Sequence, residues 1–157
     1  MKVAAAAPED VYAVACAMRE RDREEFMAVS AFQHHHGLVE NLVRRFGGHP
    51  DAIVGGLDDG TPLCIGGLIQ HRPHVATLLF FATDGFDQIG PEFSRFVKQR
   101  LFPGYIAKGV HRIECSSIEG YDEAHRWIEF LGLAEEARMR KFGRGGETYV
   151  QFAWVAE

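Results

Sequence analysis

Apolar residues recur along this chain at changing intervals, and each change of interval marks an element. Val11, Val14, Ala15 and Met18 follow at helical spacing behind Pro8. The fixed φ of proline suits a first helical turn, and Glu9 and Asp10 complement that turn's positive end. The pattern predicts a helix over 9–19, after a short strand over 3–6. A second helical region spans about 23–46, with Leu38, Leu42 and Val43 as its later apolar stripe and an interruption near Gly37. Residues 52–57 then read as a strand and Asp58-Asp59-Gly60 as a hairpin turn, since Asp and Gly tolerate positive φ. Residues 63–70 return as the second arm, where Gly66-Gly67 marks a bulge or a close backbone approach.

The run 75–83 (VATLLFFAT) is almost continuously apolar, as a strand covered on both faces should be. Phe93, Phe96, Val97 and Leu101 place a helix from near Pro91, which Pro103-Gly104 should end or kink before an irregular 105–108. A strand over 112–116, a helix over 121–131 and a hairpin of 136–142 with 148–154 complete the chain. The order is β-α-α-β-β-β-α-β-α-β-β, with no repeat or linker to divide it. That order predicts one domain over 1–157, an α/β (α+β) mixed sheet with helices on both faces.

Composition narrows the function more than the fold. The 157 residues are 46% hydrophobic and 25% charged, enough for a proper core. The net charge of −5 argues against a nucleic-acid partner, which would call for a basic surface. No apolar stretch approaches a membrane span, and Pro8 to Asp10 cut short the N-terminal alanine run, so no membrane partner and a cytoplasmic location are expected. Cys16, Cys64 and Cys115 form no CxxC pair and read as small core residues in a reducing compartment. His34-His35-His36 cannot chelate one ion from a regular helix, because successive residues diverge by about 100°. His36 and Glu40 have the spacing to share a metal but lack a third ligand, so no metal is expected.

One segment carries a family likeness. In AHRWIEFLGLAEEARMRKFGRGGETYVQFAWV, Ala124 begins the match, Gly132-Leu133 closes the helix, and Gly143 to Gly146 join the last two strands. This resembles the closing segment of the GNAT N-acetyltransferase superfamily, and the element order agrees over essentially the whole chain. The resemblance implies a central, mostly antiparallel sheet of six to seven strands flanked by about four helices. It further implies acetyl-CoA as acyl donor, its pyrophosphate held on backbone amides after the fourth strand, at the positive end of a helix. Here that places Phe81, Ala82, Thr83, Gly85, Gln88 and Gly90 against the cofactor. The glycines are not at the family's usual spacing, Pro91 lacks an amide proton, and Asp84, Asp87 and Glu92 bring negative charge.

The family's usual thiolate-protonating Tyr aligns with Ile128, leaving Tyr121 as the candidate acid if its hydroxyl reaches the sulfur across about one helical turn. Glu114 is the candidate base, with His111 and His125 as lesser ones. Because neighbours on a strand face opposite ways, Ile113 and Cys115 should face the core and Glu114 the cleft or solvent. A narrower likeness, over about 50–155, is to phage and prophage GNAT-like proteins that include internal virion protein A. It rests on the Asp58 to Leu63 hairpin, the strand end Phe80 to Thr83 and the helices PEFSRFVKQRL and HRWIEFLGL. It implies an acyl-CoA-dependent transferase acting on an unknown amine, or a non-catalytic module of virion assembly or host interaction. A homodimer or virion proteins are the partners this implies, and the phage virion the second location.

Overall fold

The computed structural model describes every residue, 1–157. β1 (Lys2–Ala5) precedes three helices, α1 (Pro8–Cys16), α2 (Glu20–Ala28) and α3 (His35–Phe46). The meander β2 (Ala52–Gly56), β3 (Pro62–Arg72) and β4 (Val75–Ala82) follows. A 3₁₀ turn, Asp84–Gln88, leads into α4 (Gly90–Phe96), which a π-helical turn over Val97–Leu101 joins to α5 (Phe102–Ala107). β5 (Arg112–Ile118), α6 (Asp122–Phe130), β6 (Ala134–Met139) and β7 (Tyr149–Val155) complete the chain.

The seven strands form one sheet in the order β1-β2-β3-β4-β5-β7-β6. Every pairing is antiparallel except β4 with β5. Those two pair only over Val75–Thr77 with Arg112–Glu114 and then diverge. α1 and α3 cover one face through Val11, Val14, Leu38 and Leu42, packed on Ile65, Ile69, Leu79 and Phe81. α4, the π-helical turn after it and α6 cover the other through Phe93, Val97 and Ile128, packed on Leu68, Ile113 and Phe152. The near-continuous apolar run of β4 follows from this, since successive side chains enter opposite cores.

Several boundaries differ from the sequence-based expectation, each for a local reason. The second helical region is two helices, and the break lies at 29–34 rather than near Gly37. Its backbone groups find partners outside the helix: Ser30 Oγ accepts from Phe32 N, and Arg144 donates from its amide to Ala28 O and from its guanidinium to Phe32 O (2.8 and 2.6 Å). Gly37 instead lies inside α3, where an added Cβ would meet the Phe32 ring at 2.9 Å. The stretch after Pro103 is helical, because the π-helical turn shifts the bonding register just where proline cannot donate. β6 begins at Ala134, and Cys16 is exposed at the end of α1, whereas Cys64 and Cys115 are buried. No helix is long and apolar enough to cross a membrane.

Candidate active site

The divergence of β4 from β5 opens a cavity of about 410 Å³ that runs between the two helical layers. α2 is wedged into this gap. Asp22 and Glu25, three residues apart and so on one helix face, each take an amide from one of the splayed strands. Asp22 Oδ2 accepts from Ala82 N on β4 at 2.9 Å, and Glu25 Oε1 accepts from Ile118 N on β5 at 2.8 Å. The strand edges left without a sheet partner are thus satisfied by carboxylates.

The two acids differ in what surrounds them. Asp22 is 3% exposed and also accepts from Tyr121 Oη at 2.6 Å and from the Arg19 guanidinium, paired at 3.0 Å. Its negative charge has a cation and three kinds of donor. Glu25 has a second donor, Ser117 Oγ at 2.5 Å on the same Oε1, and no cation bonded to it. Its Oε2 accepts no hydrogen bond from the protein. Burial pushes the Glu25 carboxyl up to about 7, the bonds from Ser117 and Ile118 opposing that shift and the Asp22 charge adding to it. Both residues line the cavity, with Arg19, Tyr121, Ser117 and Tyr149. Tyr149 ties α2 down by donating from its hydroxyl to Glu25 O.

Tyr121, expected as a candidate acid, does line the cavity. Burial and the bond to Asp22 raise its phenol well above the usual range. Ile128 lines the cavity as well and has no proton to give. Glu114 is placed otherwise than expected of a base: half-buried and outside the cavity lining, it is ion-paired with Arg112 and, at 3.2 Å, with Arg72. Each of its two oxygens is thus engaged by a guanidinium group. His111 stacks on His74 at 5.6 Å, and His125 bonds Ile118 O and packs on Phe152, both outside the lining. Glu25 had no signature in the chain. It stands in a charged helical stretch, and only contact with β5 distinguishes it from its neighbours.

Of the six residues expected to hold the cofactor, only Gly90 lines the cavity. Phe81 is fully buried against Phe26. The amide of Ala82 is taken by Asp22, that of Thr83 by Leu63 O and that of Gly85 by Thr83 Oγ1. Phe86 and Ile89 donate within the turn, to Thr83 O and Phe86 O. Gln88 is exposed beside Asp84 and Asp87. Further in, Phe80, Phe86 and Trp127 pack with ring centroids 4.4–6.4 Å apart, and Trp127 Nε1 donates to Ser94 Oγ at 2.8 Å, joining α6 to α4. This turn does not fit a pyrophosphate in the manner usual for the fold, because the amides of Ala82, Thr83, Gly85, Phe86 and Ile89 are engaged and the charges of Asp84 and Asp87 are negative. No group of three His, Cys, Asp or Glu is placed to hold a metal. His36 and Glu40 form an exposed pair at 3.2 Å.

No protein-family model matches the sequence, and no curated protein matches it. Solved structures do match. A GNAT-family acetyltransferase from Bacillus anthracis superposes with a TM-score of 0.72 at 14% identity, over 98% of this chain and 93% of that one. A GCN5-related N-acetyltransferase from Kribbella flavida gives 0.71 at 18%, over 98% and 96%. A ribosomal-protein-alanine N-acetyltransferase from Brucella melitensis gives 0.67 at 16%, over 99% of both. The chain therefore has the GNAT fold: a seven-stranded, mostly antiparallel sheet splayed between its fourth and fifth strands.

Proposed function

We propose that the protein is an N-acyltransferase whose acceptor amine binds in the β4–β5 cavity, with Glu25 as the base. The observation that carries this reading is a carboxyl near pKa 7 beside that cavity, with one oxygen anchored by β5 and the other free. A group so tuned is substantially ionised at neutral pH and still basic enough to take a proton from an ammonium. Oε2 accepts that proton, and the nitrogen lone pair becomes available for attack on an acyl carbon. Ser117 and the Ile118 amide hold the carboxyl in place, while Asp22 with Arg19 forms a charge-balanced wall. The fold's likeness to acetyltransferases points to acetyl-CoA as donor. The turn after β4 is not shaped for its pyrophosphate, and the part these residues play is to deliver the neutral amine.

A second reading has its own support. The engaged amides of Ala82, Thr83 and Gly85, with Ile128 at the acid position, favour a non-catalytic GNAT-like module. The sequence resemblance to phage and prophage proteins gives that module a role in virion assembly or host interaction.

Thermal unfolding with acetyl-CoA separates the two. A donor that binds the folded state raises the midpoint by mass action. Gly90→Asp should abolish the rise, since an added Cβ there meets only Phe86 Cε1 at 3.7 Å and the change acts through charge. No rise at millimolar acetyl-CoA, together with no amine-dependent thiol release, would sink the acyltransferase reading and leave the second.

A further inference from the structure

The hairpin between β6 and β7 carries cations that the site described above does not use. Arg138 is paired with Glu119 and Glu135 at 2.6 and 2.9 Å, but Arg140 and Lys141 are exposed and have no carboxylate partner. Arg144 is exposed too, and its guanidinium donates only to the carbonyls of Ser30 and Phe32, which leaves its charge unpaired. The one acid of the tip, Glu147, accepts the Gly145 amide at 3.0 Å. Phe142 is exposed among these cations, its ring 5.1 Å from that of Tyr149. Strand register fixes how far this group lies from Glu25. Ile118, Tyr149 and Met139 are cross-strand partners in one row over β5, β7 and β6. Glu25 is bonded to the first of them at Ile118 N, Tyr149 donates to Glu25 O, and Arg140 follows the last. Adjacent strands lie about 4.8 Å apart, so Arg140 begins about 10 Å from the anchor of Glu25. A second link runs along α2, where Arg144 N donates to Ala28 O at 2.8 Å, about 4.5 Å of helix beyond Glu25. Val29, the next residue, is exposed and also lines the cavity, so it joins the cavity wall to the hairpin surface.

Resting on the acceptor reading above, we propose that the amine is the N-terminus of a polypeptide whose next few residues are acidic, its α-amine at Glu25 and its acidic side chains on Arg140, Lys141 and Arg144. The protein's charge reverses from the acids of α2 to the cations of the hairpin, and an ammonium followed by carboxylates reverses in the same direction. The spacing agrees as well. An extended chain advances about 3.4 Å per residue, so a peptide that starts at Glu25 reaches Arg140 at about its third or fourth residue. A single amino acid or a simple amine is too short to meet both groups. A nucleic acid would supply anions but no basic amine for Glu25, and the net charge of −5 opposes a long polyanion.

The test is binding to the full chain by calorimetry, with no acyl donor present, of peptides that share small first residues and continue in glutamate, glutamine or lysine. The glutamate peptide should bind about tenfold more tightly than the glutamine peptide, the worth of two or three exposed ion pairs. The lysine peptide should bind most weakly, and the margin should shrink as salt rises. Arg140→Gln combined with Lys141→Gln, both at exposed positions, should bring the glutamate peptide down to the affinity of the glutamine peptide, with circular dichroism checking the fold. Acetylating the N-terminus of the glutamate peptide should weaken its binding too, and that comparison needs no variant. Equal binding of the three peptides, no binding at millimolar concentration, or indifference to N-terminal acetylation overturns the proposal. So does a folded double variant that keeps the preference, or tighter binding of a single-stranded oligonucleotide of equal charge. The two readings fail separately. Preference for the glutamate peptide with no transfer from acetyl-CoA sinks the acyltransferase and keeps this inference. Transfer to peptides with no preference for glutamate does the reverse.

Discussion

Glu25 and Asp22 share a helix face yet are solvated by the protein in opposite ways, and this contrast is why Glu25 is the proposed base and Asp22 a strut. Unfolded, a glutamate titrates near 4.5, whereas folded Glu25 titrates near 7, so between those values the native chain holds the extra proton. Its contribution to stability is full below about pH 4.5 and is lost as pH rises through 7, a difference of up to about 3 kcal/mol. Glu25→Gln keeps an acceptor for Ser117 and Ile118 but cannot ionise. Urea unfolding across pH 4–9 should show a flatter stability profile for E25Q and greater stability than the parent at pH 8. On the proposed function its kcat/KM should fall about 10²–10⁴-fold, and the parent's profile should rise with an apparent pKa near 7. Asp22→Ala should behave differently. It strands the half-buried Arg19 guanidinium, the Tyr121 hydroxyl and the Ala82 amide, so a loss of about 3–5 kcal/mol is expected by denaturant titration. Such a loss at Glu25 instead would mean that the structural and catalytic roles are reversed.

At the scale of elements, the site depends on how the strands around it are ended and bent. Gly67 bends β3 at φ +145°, and a Cβ there would lie 2.1 Å from Asp51 O on the approach to β2. The Gly66-Gly67 pair was legible as a bulge or close approach because no other residue would be used there. Gly132 ends α6 at φ +108°, with Leu133 N bonded back to Ile128 O, as the helix-closing Gly-Leu step predicts. A Cβ at Gly132 meets nothing within 4 Å, so Gly132→Ala isolates backbone strain, and a cost of about 1–3 kcal/mol is expected by urea titration. The link between the final hairpin and the α2–α3 connection was not legible, since 114 residues separate Arg144 from Ser30. Arg144→Ala should leave global stability nearly unchanged and speed amide exchange in residues 29–34 selectively. Uniform exchange throughout the chain would count against that local role.

In the whole molecule the two cores share β3 and β4, whose side chains enter both layers. Unfolding of one layer therefore exposes the other. Far-ultraviolet circular dichroism and the fluorescence of Trp127 and Trp154, both packed on the α4–α6 core, should follow one coincident transition. Separate transitions would indicate two independently folding units. The sequence by itself marked every strand and most helices in their order, because hydrophobic period, proline and glycine act over a few residues, and the resemblance of its closing segment implied the fold; the division into α2 and α3 and the helix after Pro103 were not legible. It also carried the departures from the usual acetyltransferase pattern, Ile128 and the acidic turn Asp84 to Glu92. Only the tertiary structure decided which acid faces the cavity. Glu114 and Glu25 are equally plain in the chain, but Arg112 and Arg72 ion-pair the first outside the cavity, while the splay of β4 from β5 buries the second beside it. A carboxyl's proton affinity is set by what long-range folding brings within a few ångströms of it, and no local pattern records that.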